Sequence, residues 1–334
     1  CAALAIWSPW GTPAPQPMSR PDPLTSYTGE EMTPGISPDG NFVAFSWKGG
    51  ELGNFDIYAQ VIGTAEPQRR TTDPADDLYP TWSSDGSKIA FLRKFSESEY
   101  SVFVIPVLGG SPLRVTDLEP GYFWGFDQKR ISWSPNDQIL AVAVGGPGGE
   151  PDRIALLSLE TREMEELVVS PEDAWFGCPV FSPDGETVAF AQYTGNDHRL
   201  CFHSLNGGDS NCLPPSPLPV WDIDWTPDGK AIVYTAGLGP DRRLWKVPVG
   251  GGEPEQLPFG EDAKAVSISR TGGRLVYQIW QQDLSLWQTG GPTASQVLTP
   301  TVFPASSTRN DRFPEYSPDG QRVVFESSRT GHYQ

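Results

Sequence analysis

Side chains that often carry catalysis or bind metals are few in this sequence, and their spacing does not assemble a reaction centre. The three histidines are His198, His203 and His332. A zinc site needs three or four ligands arranged in a tetrahedron. Two neighbouring histidines with no third ligand at metal spacing therefore predict surface or rim positions and no metal site.

Short motifs that resemble functional loops lack the residues that make those loops work. The glycine run at 145–149 has no Gly-Lys-Ser/Thr ending, which a phosphate-binding loop requires. Asp222, Asp224 and Asp228 resemble part of a calcium loop but miss its ligand spacing. No Gly-x-Ser-x-Gly nucleophile elbow occurs. We expect a chain that is not an enzyme by itself and that uses no cofactor.

Two of the four cysteines are placed to meet across a hairpin. Cys201 and Cys212 flank Asn206-Gly207 at equal distances, so a turn there puts them directly opposite each other in neighbouring strands. They form either a disulfide or two free thiols. A disulfide requires an oxidising compartment, which would put this domain outside the cytoplasm. Cys178 is expected to be a buried free thiol.

One hairpin sequence recurs along the whole chain. Its consensus is Ser-Pro-Asp-Gly, and the seventh copy is complete whereas the sixth is degenerate. The copies begin at Ser37, Ser83, Ser134, Ser182, Thr226, Ser269 and Ser317. Successive starts are 46, 51, 48, 44, 43 and 48 residues apart, which is the period of a four-stranded propeller blade.

The residues of the repeat explain why it forms strands. Proline presets φ at the first corner of the turn, and glycine accepts a left-handed conformation at its end. A short β-branched or aromatic run follows each turn, as in 88–91, and indicates a second strand. The sequence therefore predicts an all-β fold, a seven-bladed β-propeller of four-stranded antiparallel blades.

The two ends of the chain suggest how the ring closes. The seventh repeat stops after its second strand, whereas residues 22–28 read as a fourth strand ahead of the first repeat. We expect an incomplete last blade that is closed by this N-terminal strand, because an open ring exposes sheet edges. The propeller then spans residues 22–334.

Residues 1–21 precede this domain. The apolar start Cys1-Ala2-Ala3-Leu4-Ala5-Ile6-Trp7 is too short to span a bilayer, and a Pro-rich spacer follows it. It is interpreted as the end of a transmembrane or signal segment. A lipidated Cys1 and an arbitrary fragment boundary are the alternatives.

The charge balance excludes two classes of partner. Lys and Arg number 24 and Asp and Glu 42, for a net charge of −18. Such a surface repels phosphate backbones and anionic lipid, so direct binding of nucleic acid or of a membrane surface by this domain is not expected.

The repeat 80–93 resembles the TolB-type, WD-repeat-like propeller repeat, and the resemblance covers residues 22–334. More narrowly, the runs at 24–27, 54–58 and 71–77 are similar to bacterial membrane proteins. In these, a winged-helix or Ser/Thr kinase domain precedes one transmembrane helix and a propeller. The resemblance implies an extracytoplasmic, periplasmic-side sensor anchored to the inner membrane.

A partner is expected on one face of the disc. The Ser-Pro-Asp-Gly turns share the turn face, whereas the blade-to-blade connections form the opposite connection face, and variable loops on a rigid scaffold often bind partners. The connections carry aromatic and acidic residues that either wedge between blades or contact a protein or small polar ligand. The candidates are Tyr79, Tyr122, Trp124, Trp175, Trp221, Asp76, Asp77 and Asp173. Exposure is expected most for Trp124 and Trp175.

Three functions fit these observations. The first is a non-catalytic sensor or protein-interaction domain of a membrane-anchored signalling or transcription regulator. The second is the substrate-gating propeller of a prolyl-oligopeptidase-like hydrolase, whose catalytic domain would lie outside this chain. The third is a soluble periplasmic TolB-like binding protein. The flanking sequence of the full reading frame separates the three.

Overall fold

The computed structural model describes residues 21–25, 27–49, 53–64, 66–118, 128–145, 152–195, 197–279, 287–288, 301–302, 311–319 and 322–327. Their regular structure is β-strand apart from one 3₁₀ turn, Gly239–Asp241. Five antiparallel sheets of four strands each form blades 1 to 5. The sequence prediction of an all-β propeller with four-stranded antiparallel blades is therefore confirmed.

The strands follow one another within each blade. Blade 1 contains β1 (Gly29–Ile36), β2 (Phe42–Gly49), β3 (Asp56–Val61) and β4 (Gln68–Arg69). Blade 2 contains β5 (Asp76–Trp82), β6 (Lys88–Lys94), β7 (Tyr100–Pro106) and β8 (Leu113–Asp117). Blade 3 contains β9 (Ile131–Trp133), β10 (Ile139–Val144), β11 (Arg153–Ser158) and β12 (Met164–Val169). Blade 4 contains β13 (Ala174–Phe181), β14 (Thr187–Thr194), β15 (Asp197–Ser204) and β16 (Asn211–Cys212). Blade 5 contains β17 (Val220–Trp225), β18 (Ala231–Ala236), β19 (Arg243–Pro248) and β20 (Glu255–Gln256).

The last two repeats form only two-stranded sheets in the described residues. These sheets pair β21 (Ala263–Ile268) with β22 (Leu275–Ile279), β23 (Trp287–Gln288) with β24 (Thr301–Val302), and β25 (Asp311–Tyr316) with β26 (Val323–Ser327). The structure thus shows five complete blades, not the seven that the repeat count predicts.

The ring closes at the sixth repeat, which explains the difference. The hairpin β21–β22 packs directly on blade 1, where the backbone N–H of Thr271 donates to the carbonyl of Pro38 at 2.9 Å. The guanidinium of Arg274 donates to the carbonyl of Gly40 at 2.6 Å, and the N–H of Ile36 donates to Ser267 Oγ at 3.1 Å. With blade 1 already bonded to the sixth repeat, no place is left between them for a seventh.

The N-terminal segment does not close the last blade, contrary to the expectation for residues 22–28. In the described residues Thr25 and Tyr27 bond to Glu31, and the hydroxyl of Tyr27 donates to Gln60 Oε1 at 3.2 Å, so this segment belongs to blade 1. The hairpin β25–β26 pairs only with itself among the named strands, and its Tyr316 is half exposed.

The recurring turn is held by its own side chains. In the fourth repeat the hydroxyl of Ser182 donates to Asp184 Oδ1 at 2.5 Å and accepts from the N–H of Thr187 at 3.0 Å. The N–H of Glu186 donates to the same carboxylate oxygen at 3.0 Å. The third repeat makes equivalent bonds with Asn136. The hydroxyl of Ser182, followed by the backbone N–H of Glu186, lowers the pKa of Asp184.

This pKa gives a pH-dependent prediction. Because the pKa of Asp184 is lower in the folded than in the unfolded chain, its charge stabilises the fold above the ordinary carboxyl pKa, and this contribution is lost as the pH falls through the folded pKa. Asp184→Asn keeps the neutral bonds that Asn136 makes naturally. We expect the variant to be less stable than the wild type at pH 7 and equally stable at about pH 2. Urea unfolding across this pH range measures the difference, and a difference that does not change with pH would contradict the assignment.

Tryptophans placed just before the turn join neighbouring blades. The indole N–H of Trp82 donates to the carbonyl of Gly35 at 2.9 Å, and that of Trp133 donates to the carbonyl of Thr81 at 3.0 Å. Trp225 makes the same contact with Val180 at 3.2 Å. Each bond runs from the inner strand of one blade to the inner strand of the blade before it. These rings therefore fill the interfaces between neighbouring blades, called seams below. Their N–H groups also bond carbonyl groups on the unpaired edges of the inner strands.

A tryptophan-to-phenylalanine comparison tests the seam. Trp133→Phe leaves the half-buried carbonyl of Thr81 without its donor and should lower the free energy of unfolding by about 1–3 kcal/mol. Trp245→Phe is the matched control, because the indole N–H of half-buried Trp245 has no hydrogen-bond partner among the residues that the structure describes. Denaturant unfolding of both variants gives the comparison. Equal losses would show that ring size, not the hydrogen bond, sets the cost.

Candidate functional site

The inner strands of six repeats surround an axial channel. The lining includes the residue two places before each turn, a set made up of Gly35, Thr81, Ser132, Val180, Asp224 and Ser267. The cavity measures about 70 Å³, which holds only a few water molecules. Ligand sites for small organic molecules usually measure about 300–1,000 Å³. This cavity is therefore too small to hold a sugar chain or a peptide.

Lys129 crosses this channel from blade 3. Its ammonium nitrogen lies 3.3 Å from the carbonyl oxygens of Ile223 and Val266 and 3.5 Å from Asp224 Oδ2. Burial lowers the pKa of Lys129, but the carboxylates of Asp224 and Asp222 outweigh burial and raise it. The lysine is thus a fixed cation that connects blade 3 to the seam between blade 5 and the sixth repeat.

Behind Lys129 lies a buried polar cluster, the axial cluster, which consists of Gln128, Cys178, Tyr193 and Asp222. All four are at most 6% exposed. Burial is the main cause that raises the pKa of the Cys178 thiol, the Tyr193 hydroxyl and the Asp222 carboxyl. The thiol donates to the carbonyl of Trp221 at 3.3 Å. A protonated, buried thiol is a poor nucleophile, so the cluster supports no covalent catalysis.

A repeated β-bulge positions this cluster. The inner strands shift register at Leu78/Thr81 and Gly177/Val180, and a proline occupies both bulges. Proline has no N–H to pair and is therefore tolerated at a bulge. The residue before it adopts a positive φ, 60° at Tyr79 and 54° at Cys178. This turn of the backbone places both side chains in the interior.

The acidic residues predicted on the connection face of blade 2 are mostly internal. Asp77 is fully buried, and the Arg93 guanidinium donates to its carboxylate from Nε at 2.7 Å and from Nη2 at 2.8 Å. The Arg93 guanidinium also contacts Asp73 at 2.7 Å and lies 4.5 Å from the ring centre of Phe103. Asp76 accepts from the N–H of Phe55 at 2.8 Å.

Two predicted contact residues therefore need correction. Tyr79 is only 2% exposed because the bulge turns it into the core, and Asp77 is buried because it neutralises Arg93. Neither presents its side chain to a partner.

The Arg93 cluster predicts a large stability effect. Arg93→Met leaves the Asp77 carboxylate buried without its cation, which should cost about 3–5 kcal/mol of unfolding free energy. Arg114→Met breaks an exposed pair with Asp117 and should cost less than about 1 kcal/mol. Urea unfolding at neutral pH compares the two variants. Similar small losses would contradict a buried ion pair at Asp77.

The aromatic residues predicted in blades 4 and 5 are the second residues of the inner strands β13 and β17. Trp175 is half-buried and stacks on Tyr193 with the ring centres 5.7 Å apart. Trp221 is also half-buried; its N–H donates to the carbonyl of Gly237 at 2.8 Å, and Arg242 lies 5.4 Å from its ring centre. Asp173 is exposed. Tyr122 and Trp124 lie outside the described residues.

Solved structures with the same architecture include TolB proteins. No family model and no curated protein matches this sequence. TolB from Acinetobacter baumannii is 18% identical with a TM-score of 0.60, and the match covers 71% of this chain and 56% of that one. A putative TolB from Agrobacterium tumefaciens is also 18% identical with a TM-score of 0.60, covering 75% and 91%. The chain has a TolB-type β-propeller fold.

The same fold occurs in enzymes. Oligogalacturonate lyase from Vibrio parahaemolyticus is 15% identical with a TM-score of 0.53, and the match covers 93% of this chain and 90% of the lyase. At such identities the similarity establishes the fold only. Within the described parts of this TolB-type propeller, no three His, Cys, Asp or Glu side chains come together as metal ligands.

The disulfide candidate lies in blade 4 of the TolB-type propeller. Cys201 and Cys212 are direct partners in the β15–β16 pairing, and a disulfide joins them. Cys178 is a buried free thiol. No helix in the described residues is long and apolar enough to cross a bilayer.

Sequence reasoning missed the axial cluster of this propeller. Two of its members, Cys178 and Asp222, stand four residues before the first residue of a turn, as Tyr79 does in blade 2. Aligning the repeats on the turn would have placed them at equivalent inner positions. The contacts of Lys129 across the channel have no comparable sequence signal, because its partners lie on two strands, β17 and β21, that are far from it in sequence.

Proposed function

We propose that this chain is a non-catalytic protein-interaction propeller that acts outside the cytoplasm, as the sensor domain of a membrane-anchored bacterial regulator. Its binding site is the blade 4–5 patch, which consists of Trp175, Trp221 and Asp173. The observation that carries the proposal is the pair of half-buried tryptophans on adjacent inner strands, each held by a buried neighbour.

Rigid aromatic side chains favour protein binding. A tryptophan that is already fixed loses little conformational freedom on binding, and tryptophan is common among the few residues that dominate interface energies. Tyr193 fixes the ring of Trp175, whereas Gly237 and Arg242 fix that of Trp221. The patch is thus prepared before a partner arrives.

The charge around the patch selects the type of partner. Glu172 and Asp173 are exposed next to Trp175, and Asp197 is exposed at the start of β15. The whole chain has a net charge of −18. A partner segment that carries lysine or arginine together with apolar residues complements this surface.

The small axial cavity favours a partner bound on the connection face over the alternative of a propeller that gates substrate for a hydrolase. A propeller that passes a peptide to a hydrolase along its axis needs an open channel, whereas here Lys129 spans an axial cavity of about 70 Å³. The extracytoplasmic location is supported by the Cys201–Cys212 disulfide, because reducing compartments do not maintain such bonds. Membrane anchoring and the signalling output rest on the sequence resemblance alone.

Patch variants test the proposal. Partner proteins are captured on the immobilised propeller from extracytoplasmic extract of the source bacterium, identified, and purified for titration. Trp175→Ala and Trp221→Ala should each weaken binding by about 2 kcal/mol or more, a roughly 30-fold higher Kd. Phe95→Ala is the matched control, since Phe95 is 47% exposed elsewhere on the protein. Equal affinity for all variants would show that the patch is not the binding site.

A further inference from the structure

The tip of the β15–β16 hairpin carries Asn206-Gly207, the single Asn-Gly pair in the sequence. Asn206 and the two glycines after it are exposed. A Cβ atom added at Gly207 or at Gly208 would meet nothing within 4 Å, so open space surrounds this tip. In the β14–β15 pairing Thr187 lies opposite Ser204, which places the tip beside the fourth Ser-Pro-Asp-Gly turn, on the turn face.

The side chain of Asn206 is not held by the fold. Its carboxamide makes no hydrogen bond to any residue that the structure describes, whereas its backbone N–H donates to Ser204 Oγ at 3.3 Å. Asparagines elsewhere are fixed. Nδ2 of Asn54 donates to three backbone carbonyls, and Oδ1 of Asn136 accepts from the hydroxyl of Ser134 at 2.7 Å. The Asn206 side chain is therefore free to rotate toward its own backbone.

The backbone nitrogen of Gly207 is the nucleophile within reach of that side chain. The nitrogen that follows an asparagine closes a five-membered ring when it bonds to the side-chain carbonyl carbon, and a Cβ on the following residue hinders this closure. Glycine has no Cβ. The N–H of Gly207 donates to the carbonyl of Ser204 at 3.2 Å, which is the long end of the range for such bonds. Solvent reaches this exposed residue and removes the proton.

The Asp-Gly pairs of the repeated turns are protected from the same attack. In the fourth turn Asp184 Oδ1 accepts from the hydroxyl of Ser182 at 2.5 Å and from the N–H of Glu186 at 3.0 Å, which fixes the carboxylate. The hydroxyl of the turn is the main cause that lowers the pKa of the aspartate at Asp39, Asp85, Asp184 and Asp228. An ionised carboxylate offers a poor leaving group to an amide nitrogen. The neutral amide of Asn206 has no such protection.

We propose that Asn206 is a site of spontaneous deamidation in the folded protein. The nitrogen of Gly207 loses its proton to solvent and bonds to Cγ of Asn206. The Cγ–Nδ2 bond breaks, and the side-chain nitrogen takes up a proton from water and leaves as ammonia. Water then opens the resulting succinimide at either carbonyl, which gives aspartate or isoaspartate. The reaction consumes water, releases ammonia and involves no oxidation or reduction.

The modification changes the hairpin tip and leaves the blade intact. The Cys201–Cys212 disulfide still joins β15 to β16 after the tip has reacted. Trp175 of the blade 4–5 patch pairs with Tyr193, near the opposite end of β14 from Thr187. The product therefore adds a negative charge to the turn face, and partner binding at the patch does not depend on it.

Peptide mapping by mass spectrometry tests the site. The folded wild-type chain is incubated in mildly alkaline buffer, in parallel with the chain unfolded in urea. The peptide that contains Asn206 should show the mass gain of amide-to-acid conversion in both samples and should separate into aspartate and isoaspartate forms. Peptides that contain the Asp-Gly turns should form isoaspartate only in urea. An unmodified Asn206 in the folded chain, when the unfolded chain has already reacted, would overturn the proposal. Isoaspartate in the folded turns at the rate seen at Asn206 would contradict their protection.

Gly207→Ala and Gly208→Ala are a matched pair of variants that identifies the attacking nitrogen. Both glycines have a positive φ, 95° and 108°, and both have open space for the added methyl group, so the two changes strain the backbone similarly. Gly207→Ala also places a Cβ beside the nitrogen that attacks Asn206. This variant should deamidate several-fold more slowly than the wild type, whereas Gly208→Ala should keep the wild-type rate. Equal rates in the two variants would contradict attack by the nitrogen of Gly207.

Discussion

The structure depends on how its innermost strands satisfy their free edges. Each inner strand has a partner on one side only, so its other edge carries unpaired N–H and C=O groups toward the channel. Side chains of the neighbouring blade meet many of these groups. Trp82, Trp133 and Trp225 donate to edge carbonyls, and Ser267 accepts from the N–H of Ile36 where the ring closes. Hydrophobic wedges and edge hydrogen bonds therefore stabilise the same seams.

Much of the architecture could be predicted because it is local. The Ser-Pro-Asp-Gly cassette encodes its own turn, and the alternating run after it encodes the second strand. The opposition of Cys201 and Cys212 follows from counting residues across one hairpin. The number of blades, by contrast, is not encoded within a single repeat. Seven turns suggest seven blades, but closure depends on whether Arg274 and Thr271 bond to the first turn, and no pattern within a single repeat contains that information.

The candidate site was only partly predictable for a related reason. Aromatic type and position in a connection segment indicated Trp175 and Trp221, which the structure places half-buried on adjacent strands. The same reasoning failed for Tyr79 and Asp77. A proline bulge turns Tyr79 inward, and Arg93, 16 residues away in sequence, draws Asp77 into the core. The axial cluster combines residues from three blades, so single-strand patterns do not reveal it. Its Tyr193 stacks on Trp175 and its Asp222 follows Trp221, so the contacts among blades 3, 4 and 5 also position the surface proposed to bind a partner.

Ring closure at the sixth repeat is the central claim, and cross-linking tests it most directly. Cysteines replace exposed Asp39 and Thr271, which lie in the first and sixth turns, in a chain that carries Cys1→Ser. A short bifunctional maleimide should join them rapidly, because the backbones of the two turns bond at 2.9 Å between Thr271 N and Pro38 O. Asp39→Cys with Asp184→Cys is the control pair in the first and fourth turns and should remain unlinked. Failure of the first pair to cross-link in the folded chain would contradict closure of the ring between the sixth repeat and blade 1.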